Sequence, residues 1–357
     1  MKKALVVGID NYDPPNQLNG CVNDAVELAA LLESNGDGSP NFDVRRIVSS
    51  EGTVTSEKLH EAIGELFNGD ADTVVLYFAG HGIMDEETNN GYLVTQDGKN
   101  PNWGISLSGI LQQANKAHPR IKSTVILLDS CQSGFAGEIS GLGDSGAVSH
   151  IGNGVTILTA CHRKGFAAEA NGHGKFTDIM IDGLGGAASD VIGRVTPASL
   201  YAHVDQTLGA WEQRPIYKAN VQSFISLREV SPKVPKDILR RLPQYFPTAS
   251  HVFRLDPSFE PDRGEEAERL KDIPVDDDNV RIYRELQKCH QHGLIAPTDH
   301  EYMWHTAVFS GGCRLTATGA HYRRLAEKKK IWGADLPSKE FISHKNTDSA
   351  LADTVAR

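Results

Sequence analysis

The sequence predicts an α/β protein: a mostly parallel six-stranded sheet with helices on both faces, plus a small winged-helix-like unit at the C-terminal end. Two observations predict the main part. Apolar, β-branched runs alternate with helically spaced stretches through the first 230 residues, and strands separated by helices imply right-handed crossovers and a helix-covered sheet. Two of the runs, Val74-Val75-Leu76-Tyr77-Phe78 and Val125-Ile126-Leu127-Leu128, are apolar without alternation, as strands buried on both faces are.

Strands are expected at residues 4–9, 44–48, 73–79, 123–129, 155–159 and 223–227, and helices at 24–33, 56–67, 107–116, 176–187 and 197–208. In the first helix Val26, Leu28, Ala29 and Leu32 keep helical spacing, and Glu33-Ser34-Asn35-Gly36 stops it. This gives a first domain over 1–230. Residues 231–275 hold Pro232, Pro235, Pro243, Pro247, Pro257, Pro261 and Pro274 with few apolar runs, a linker or wrapping segment. A unit at 276–334 follows: helix-like 280–290, a turn at 293–297, strand-like 302–310 and a basic helix at 318–329. Its order resembles a winged helix. The polar tail, 335–357, is expected to be disordered.

The chain has 357 residues, a prior of about two domains. With 39% hydrophobic and 23% charged residues it is neither wholly disordered nor fibrous. Lys and Arg number 36 against 46 Asp and Glu, a formal charge of −10, which argues against a nucleic-acid partner. No apolar run approaches the ~20 residues of a membrane span. The N-terminal apolar stretch meets Asp10 before it reaches the roughly 7–15 residues of a signal peptide core. Five cysteines, an odd count in a long chain, point to a reducing compartment, the cytoplasm.

The chemistry gathers at two strand ends. Gly80-His81-Gly82 follows one apolar run, and Asp129-Ser130-Cys131 ends the other. Sites in open α/β sheets lie beyond the carboxyl ends of the strands, so His81 and Cys131 share a rim. A thiolate is a nucleophile, and a nearby imidazole can take its proton. The N–H groups of Gly82 and Cys131 are then candidates for an oxyanion hole. A structural cysteine and a loop histidine would be the plain alternative for either residue alone. It is poor for two that each end a buried strand.

At these residues the chain resembles the caspase-like cysteine peptidases, and within them the metacaspases and orthocaspases. That family pairs a Ser-Gly-His-Gly-type motif with an Asp-x-Cys-x-Ser-Gly motif about 50 residues later. Here His81 and Cys131 are 50 apart, and Gly134 completes the second motif. Gly20-Cys21-Val22-Asn23-Asp24-Ala25, Leu158-Thr159-Ala160-Cys161, Gly174-Lys175-Phe176-Thr177 and Gln213-Arg214-Pro215 extend the likeness over about residues 1–230. The resemblance implies the caspase–haemoglobinase fold and cleavage of protein substrates, with Cys131 as nucleophile and His81 as base. It also implies an acidic S1 pocket for Arg or Lys lined by Asp24 and Asp129. Asp129 stands two before Cys131, and i and i+2 on a strand share a face. Asp24 could instead cap its helix. Family habit adds regulation by an activating protease or partner protein, in stress or antiviral defence.

There are departures. Ala79 replaces the motif serine, and Ile105-Ser106-Leu107-Ser108 lacks the acidic pair of calcium-dependent relatives. Asp97 alone is a poor start for an ion wanting about six to eight oxygens, so no cofactor and no metal are expected. Cys289, His290, His292, His300, His305 and Cys313 fit no standard zinc spacing. Gly143-Asp144-Ser145-Gly146 lacks the serine-hydrolase elbow. Arg323-Arg324 and Lys328-Lys329-Lys330 read as a solvated helix face or a docking surface for a protein, ahead of a nucleic-acid contact. The rival functions are an inactive scaffold, a regulator acting through the C-terminal unit, and a protease that cuts after Asp.

Overall fold

The computed structural model describes residues 1–85, 90–130, 151–160, 172–209, 214–221 and 223–331, and the backbone of three short pairs at 138–139, 148–149 and 169–170. Cys131, Cys161, Gln213 and the tail 335–357 lie outside the described residues. The chain divides into two units, Met1–Ser231 and Pro232–Arg357.

The first unit runs β1 (Lys2–Gly8), α1 (Cys21–Glu33), β2 (Asp43–Val48), α2 (Ser56–Asn68), β3 (Thr73–Ala79), β4 (Gly82–Asp85), β5 (Asn90–Lys99), β6 (Asn102–Ser106), α3 (Leu107–Ala117) and β7 (Ser123–Asp129). It continues with β8 (Glu138–Ile139), β9 (Val148–Ser149), β10 (Val155–Thr159), β11 (Glu169–Ala170), β12 (His173–Gly174), α4 (Lys175–Asp182), β13 (Arg194–Val195), α5 (Pro197–Thr207), β14 (Ile216–Ala219) and β15 (Arg228–Glu229). Six strands form one sheet in the order β14-β10-β7-β3-β1-β2. All neighbours are parallel except β10 and β14.

The apolar runs explain this sheet. Alternate residues of β3, Val74, Leu76 and Phe78, join Leu59, Ile63, Ile110 and Leu111 of α2 and α3 in one core. The intervening Val75, Tyr77 and Ala79 join Ala25, Leu28, Met180 and Leu200 of α1, α4 and α5 in the other. Each face is therefore buried, which is what a run without alternation signals.

The sixth strand differs from the expectation. It is Ile216–Ala219, antiparallel at the sheet edge. Residues 223–227 bury Ile225 and Leu227 alternately yet join no ladder of the main sheet. Their period of two reflects packing on a core, whereas the true strand is a half-exposed edge with no apolar pattern. A three-stranded antiparallel sheet, β4-β5-β6, was not expected either. Its strands carry glycine and polar residues, and its ladder is irregular between Val94 and Lys99.

The second unit contains α6 (Lys236–Tyr245), β16 (Val252–Arg254), α7 (Asp277–Gln291), β17 (Ile295–Pro297), α8 (Met303–Val308), β18 (Gly312–Leu315) and α9 (Ala317–Glu327). Its sheet, β16-β18-β17, is antiparallel. Three expectations need correction. The segment read as a linker or wrapping segment supplies α6 and β16, and Leu239, Leu242 and Tyr245 of α6 are buried. The strand-like stretch at 302–310 holds α8, because Met303, Thr306 and Ala307 are buried at helical spacing. Arg323 is not on a solvated face: it is buried and donates to the Phe246 and Pro247 carbonyls. Among the described residues no group of three or more His, Cys, Asp or Glu could hold a metal ion, and no helix is long and apolar enough to cross a membrane.

Candidate active site

The strand register builds the rim. Ala79 at the end of β3 pairs with Asp129 at the end of β7, and the Gly80 N–H donates to the Asp129 carbonyl at 3.3 Å. His81 follows directly. A Cβ on Gly80 would lie 2.6 Å from the Tyr12 hydroxyl, so only glycine lets the chain pass there.

Three contacts hold His81. Its backbone N–H donates to the Tyr12 hydroxyl at 3.0 Å, and that hydroxyl donates to the Val94 carbonyl at 3.0 Å. The two rings stand 4.5 Å apart between centroids. The imidazole Nε2 lies 2.7 Å from the Asn16 carbonyl oxygen. A carbonyl can only accept, so Nε2 carries the proton and, in the neutral ring, Nδ1 holds the lone pair. The ring is thus oriented and set to take a proton at Nδ1. Beside it opens a cavity of about 350 Å³ whose walls include Tyr12, Ile83, Val94, Lys99 and Trp103.

Gly82 pairs with Leu93, while the Val94 N–H donates to the His81 carbonyl at 2.9 Å. In an antiparallel ladder this makes Gly82–Leu93 a pair without direct hydrogen bonds, and the Gly82 N–H points away from β5. It is available to a ligand from that side. Cys131, expected as its partner donor, lies outside the described residues.

The two expected pocket carboxylates come together. Asp24 is 1% exposed and Asp129 is 5% exposed. Both approach Gly174, where an added Cβ would run into the Asp129 carboxylate and reach within 3.0 Å of Asp24 Oδ2. Asp24 Oδ1 is bonded to His173 Nδ1 at 2.8 Å, and Oδ2 accepts from the Gly174 N–H at 2.9 Å. Asp129 Oδ2 accepts from the Thr177 hydroxyl at 2.7 Å and its N–H at 3.3 Å. The Thr177 hydroxyl in turn accepts from Tyr77, 2.8 Å away and fully buried.

Burial pushes the Asp24 carboxyl up to about 7, and the nearby Asp129 adds to this against the hydrogen bonds from Gly174 and His173. His173 is raised by its hydrogen bond to Asp24, against burial. The helix cap considered for Asp24 is supplied by Asp10, whose carboxylate accepts from the N–H groups of Cys21 at 2.9 Å and Val22 at 3.2 Å. Asp24, one turn on, is free of that task and faces the rim.

Asn16, Tyr12 and His173 carry this geometry, and only His173 had any signal in the sequence, its position between two glycines. Asn16 acts through a backbone carbonyl, which no residue type announces. Asp97, weighed for calcium, instead accepts from Ser56 and Thr95 at the start of α2.

A sequence model described as the caspase domain matches residues 1–225. Among solved structures, a protein of Geobacter sulfurreducens is 15% identical with a TM-score of 0.44, over 65% of this chain and 97% of its own. Caspase-1 of Spodoptera frugiperda is 14% identical with a TM-score of 0.45, over 64% and 90%. No curated protein matches.

Proposed function

The chain belongs to the caspase family of cysteine peptidases, and from that premise we propose an endopeptidase that cleaves proteins after Arg or Lys through a Cys131–His81 dyad. Cys131 follows Asp129, the end of β7, by two peptide bonds. His81 follows the paired Ala79 by the same two steps. Nδ1 of His81 takes the thiol proton as Cys131 attacks the scissile carbonyl. The N–H groups of Gly82 and Cys131 hold the developing oxyanion. His81 then protonates the leaving amine, whose residues have room in the cavity beside the ring. Water releases the acyl group from the sulfur by the same route in reverse.

The observation that carries the specificity is the convergence of Asp24 and Asp129 on Gly174. Two buried carboxylates favour a basic side chain and oppose an acidic one. This weighs against the alternative of cleavage after Asp. The test is hydrolysis of Arg-, Lys- and Asp-terminated peptide reporters with Cys131→Ala as control. A preference for the Asp reporter would reject the reading. A second unit fused to the peptidase fits a regulated enzyme of stress or defence in a reducing cytoplasm.

Tyr12→Phe is expected to keep the fold and lower kcat about tenfold, since the hydroxyl that fixes the His81 backbone is worth about 1.4 kcal/mol on that scale. KM should move little, because the ring and the acidic pair are untouched. The check is steady-state kinetics beside a thermal melt; an unchanged kcat would show that the Asn16 contact alone positions the ring.

Activation should not come from self-cutting in the segment after the nucleophile. No Lys or Arg occurs between Gln132 and His162, and its acidic residues would meet like charge in the pocket. Basic residues elsewhere could still be cut, among them Arg163, Lys164, Arg240 and Arg241; the last two lie in α6, with Arg240 bonded to the Ile331 carbonyl and Arg241 to Glu285 and Asp237. Self-cutting, if it occurs, is therefore expected at Arg163 or Lys164 ahead of these two. Terminal sequencing of fragments from the purified enzyme checks this, and a self-made end within 135–153 would contradict the basic specificity as well.

A further inference from the structure

Resting on the pocket reading above, we propose that His173 is a displaceable stopper of the acidic site: its imidazole holds the Asp24 oxygen that a substrate Arg or Lys must take. The placement makes this possible. Three residues of α1 and its approach fix the backbone of 172–174. Gly20 packs on the His173 main chain, where a Cβ would sit 3.0 Å from its Cα; Asn23 Nδ2 donates to the Gly172 carbonyl at 3.2 Å; and Asp24 accepts the Gly174 N–H. None of these contacts uses the imidazole. Rotation of the side chain therefore breaks none of the contacts that hold this backbone.

The chemistry points the same way. Asp24 has two oxygens and two partners. The Gly174 N–H is main chain and stays. His173, 22% exposed, is the partner that can leave for water. Its Nε2 stands 3.7 Å from Glu27 Oε1, so a displaced ring already has a second carboxylate beside it. The charged groups facing it are Asp24 and Glu27 on α1 and Asp178 on α4; Lys175 follows two residues on, and Glu169 pairs with Gly174 across β11. Three carboxylates hold the imidazole toward its charged form. The stopper is thus a single donor competing with a substrate cation for one carboxylate oxygen, and a guanidinium that brings five donors can replace it. Occupancy of the closed form lowers the apparent affinity for substrate by the open fraction.

The test uses the full chain and an Arg-terminated peptide reporter. Removing an occupant should act on binding alone, so His173→Ala is expected to lower KM by about threefold or more with kcat within about twofold. His173→Gln keeps a neutral amide donor toward Asp24 and should fall between. In the wild-type chain, the His173 ring resonance should shift on titration with arginine amide. An unchanged or higher KM in both variants, or a resonance unmoved at saturation, overturns the stopper. Asp24→Asn and Asp129→Asn identify the failed premise. If they keep cleavage after Arg, the pocket reading has failed. If they lose it while His173→Ala leaves KM unchanged, the stopper alone has failed.

Discussion

Replacing Cys131 by Ala, or His81 by Ala, is expected to lower cleavage of an Arg-terminated reporter by at least about a thousandfold. The two effects should not add. A thiol without its base is a weak nucleophile at neutral pH, and a base without the thiol has nothing to activate, so the double variant should be no worse than the poorer single one. The fold should survive both changes. His81 sits beyond the end of β3, and the cores on both sheet faces are built from residues up to Ala79 and Leu128. Circular dichroism and a thermal melt separate lost chemistry from lost structure. Near wild-type cleavage by Cys131→Ala, with a clean melt, would remove the nucleophile assignment.

The sequence makes this site legible because buried parallel strands leave a strong mark. A run such as Val125-Ile126-Leu127-Leu128 can only be covered on both faces, and the polar residues after it must stand at the rim. The bounds expected for 73–79, 123–129 and 155–159 coincide with β3, β7 and β10. What escaped is what tertiary context decides. β14 owes its place to pairing with β10 at an edge, and its Ile216-Tyr217-Lys218-Ala219 has no buried face to announce it. The β4-β5-β6 sheet rests on glycine and polar residues, yet it brings Val94 to Tyr12 and so steadies His81. The Asn16 carbonyl and the His173 imidazole are contacts across 65 and 149 residues, beyond any local pattern. Gly20, Asn23 and Asp24 stood out as a motif, but their shared purpose, gripping residues 172–174, shows only in three dimensions.

Asp129→Asn is expected to reduce kcat/KM for Arg and Lys reporters about a hundredfold, the range in which losing one member of a buried charge pair falls. Its rate with iodoacetamide should stay within a few-fold of wild type, since the thiol and His81 are spared. The isostere keeps an oxygen for the Thr177 hydroxyl, so the Tyr77–Thr177 chain beneath it stays satisfied. Asp24→Asn should act in the same direction and carry a pH signature. Burial holds the folded Asp24 carboxyl at about 7, above its ordinary 3.8. Below that value it is neutral and the pocket lacks one charge. Reporter cleavage measured relative to alkylation should therefore rise with pH through about 7 in the wild type and lose that step in Asp24→Asn. Stability runs the opposite way. A carboxyl whose folded value exceeds its unfolded one favours folding at low pH, and that contribution is lost as pH climbs from about 4 through 7. Asp24→Asn should accordingly melt higher relative to wild type at pH 8 than at pH 4. On the proposed reading, the wild-type protein would give up stability at the pH where an ionised Asp24 receives a cation, and an Arg side chain entering the pocket would restore it. Equal losses in reporter cleavage and alkylation, with no pH step in either, would make both aspartates supports of the rim and not readers of the substrate.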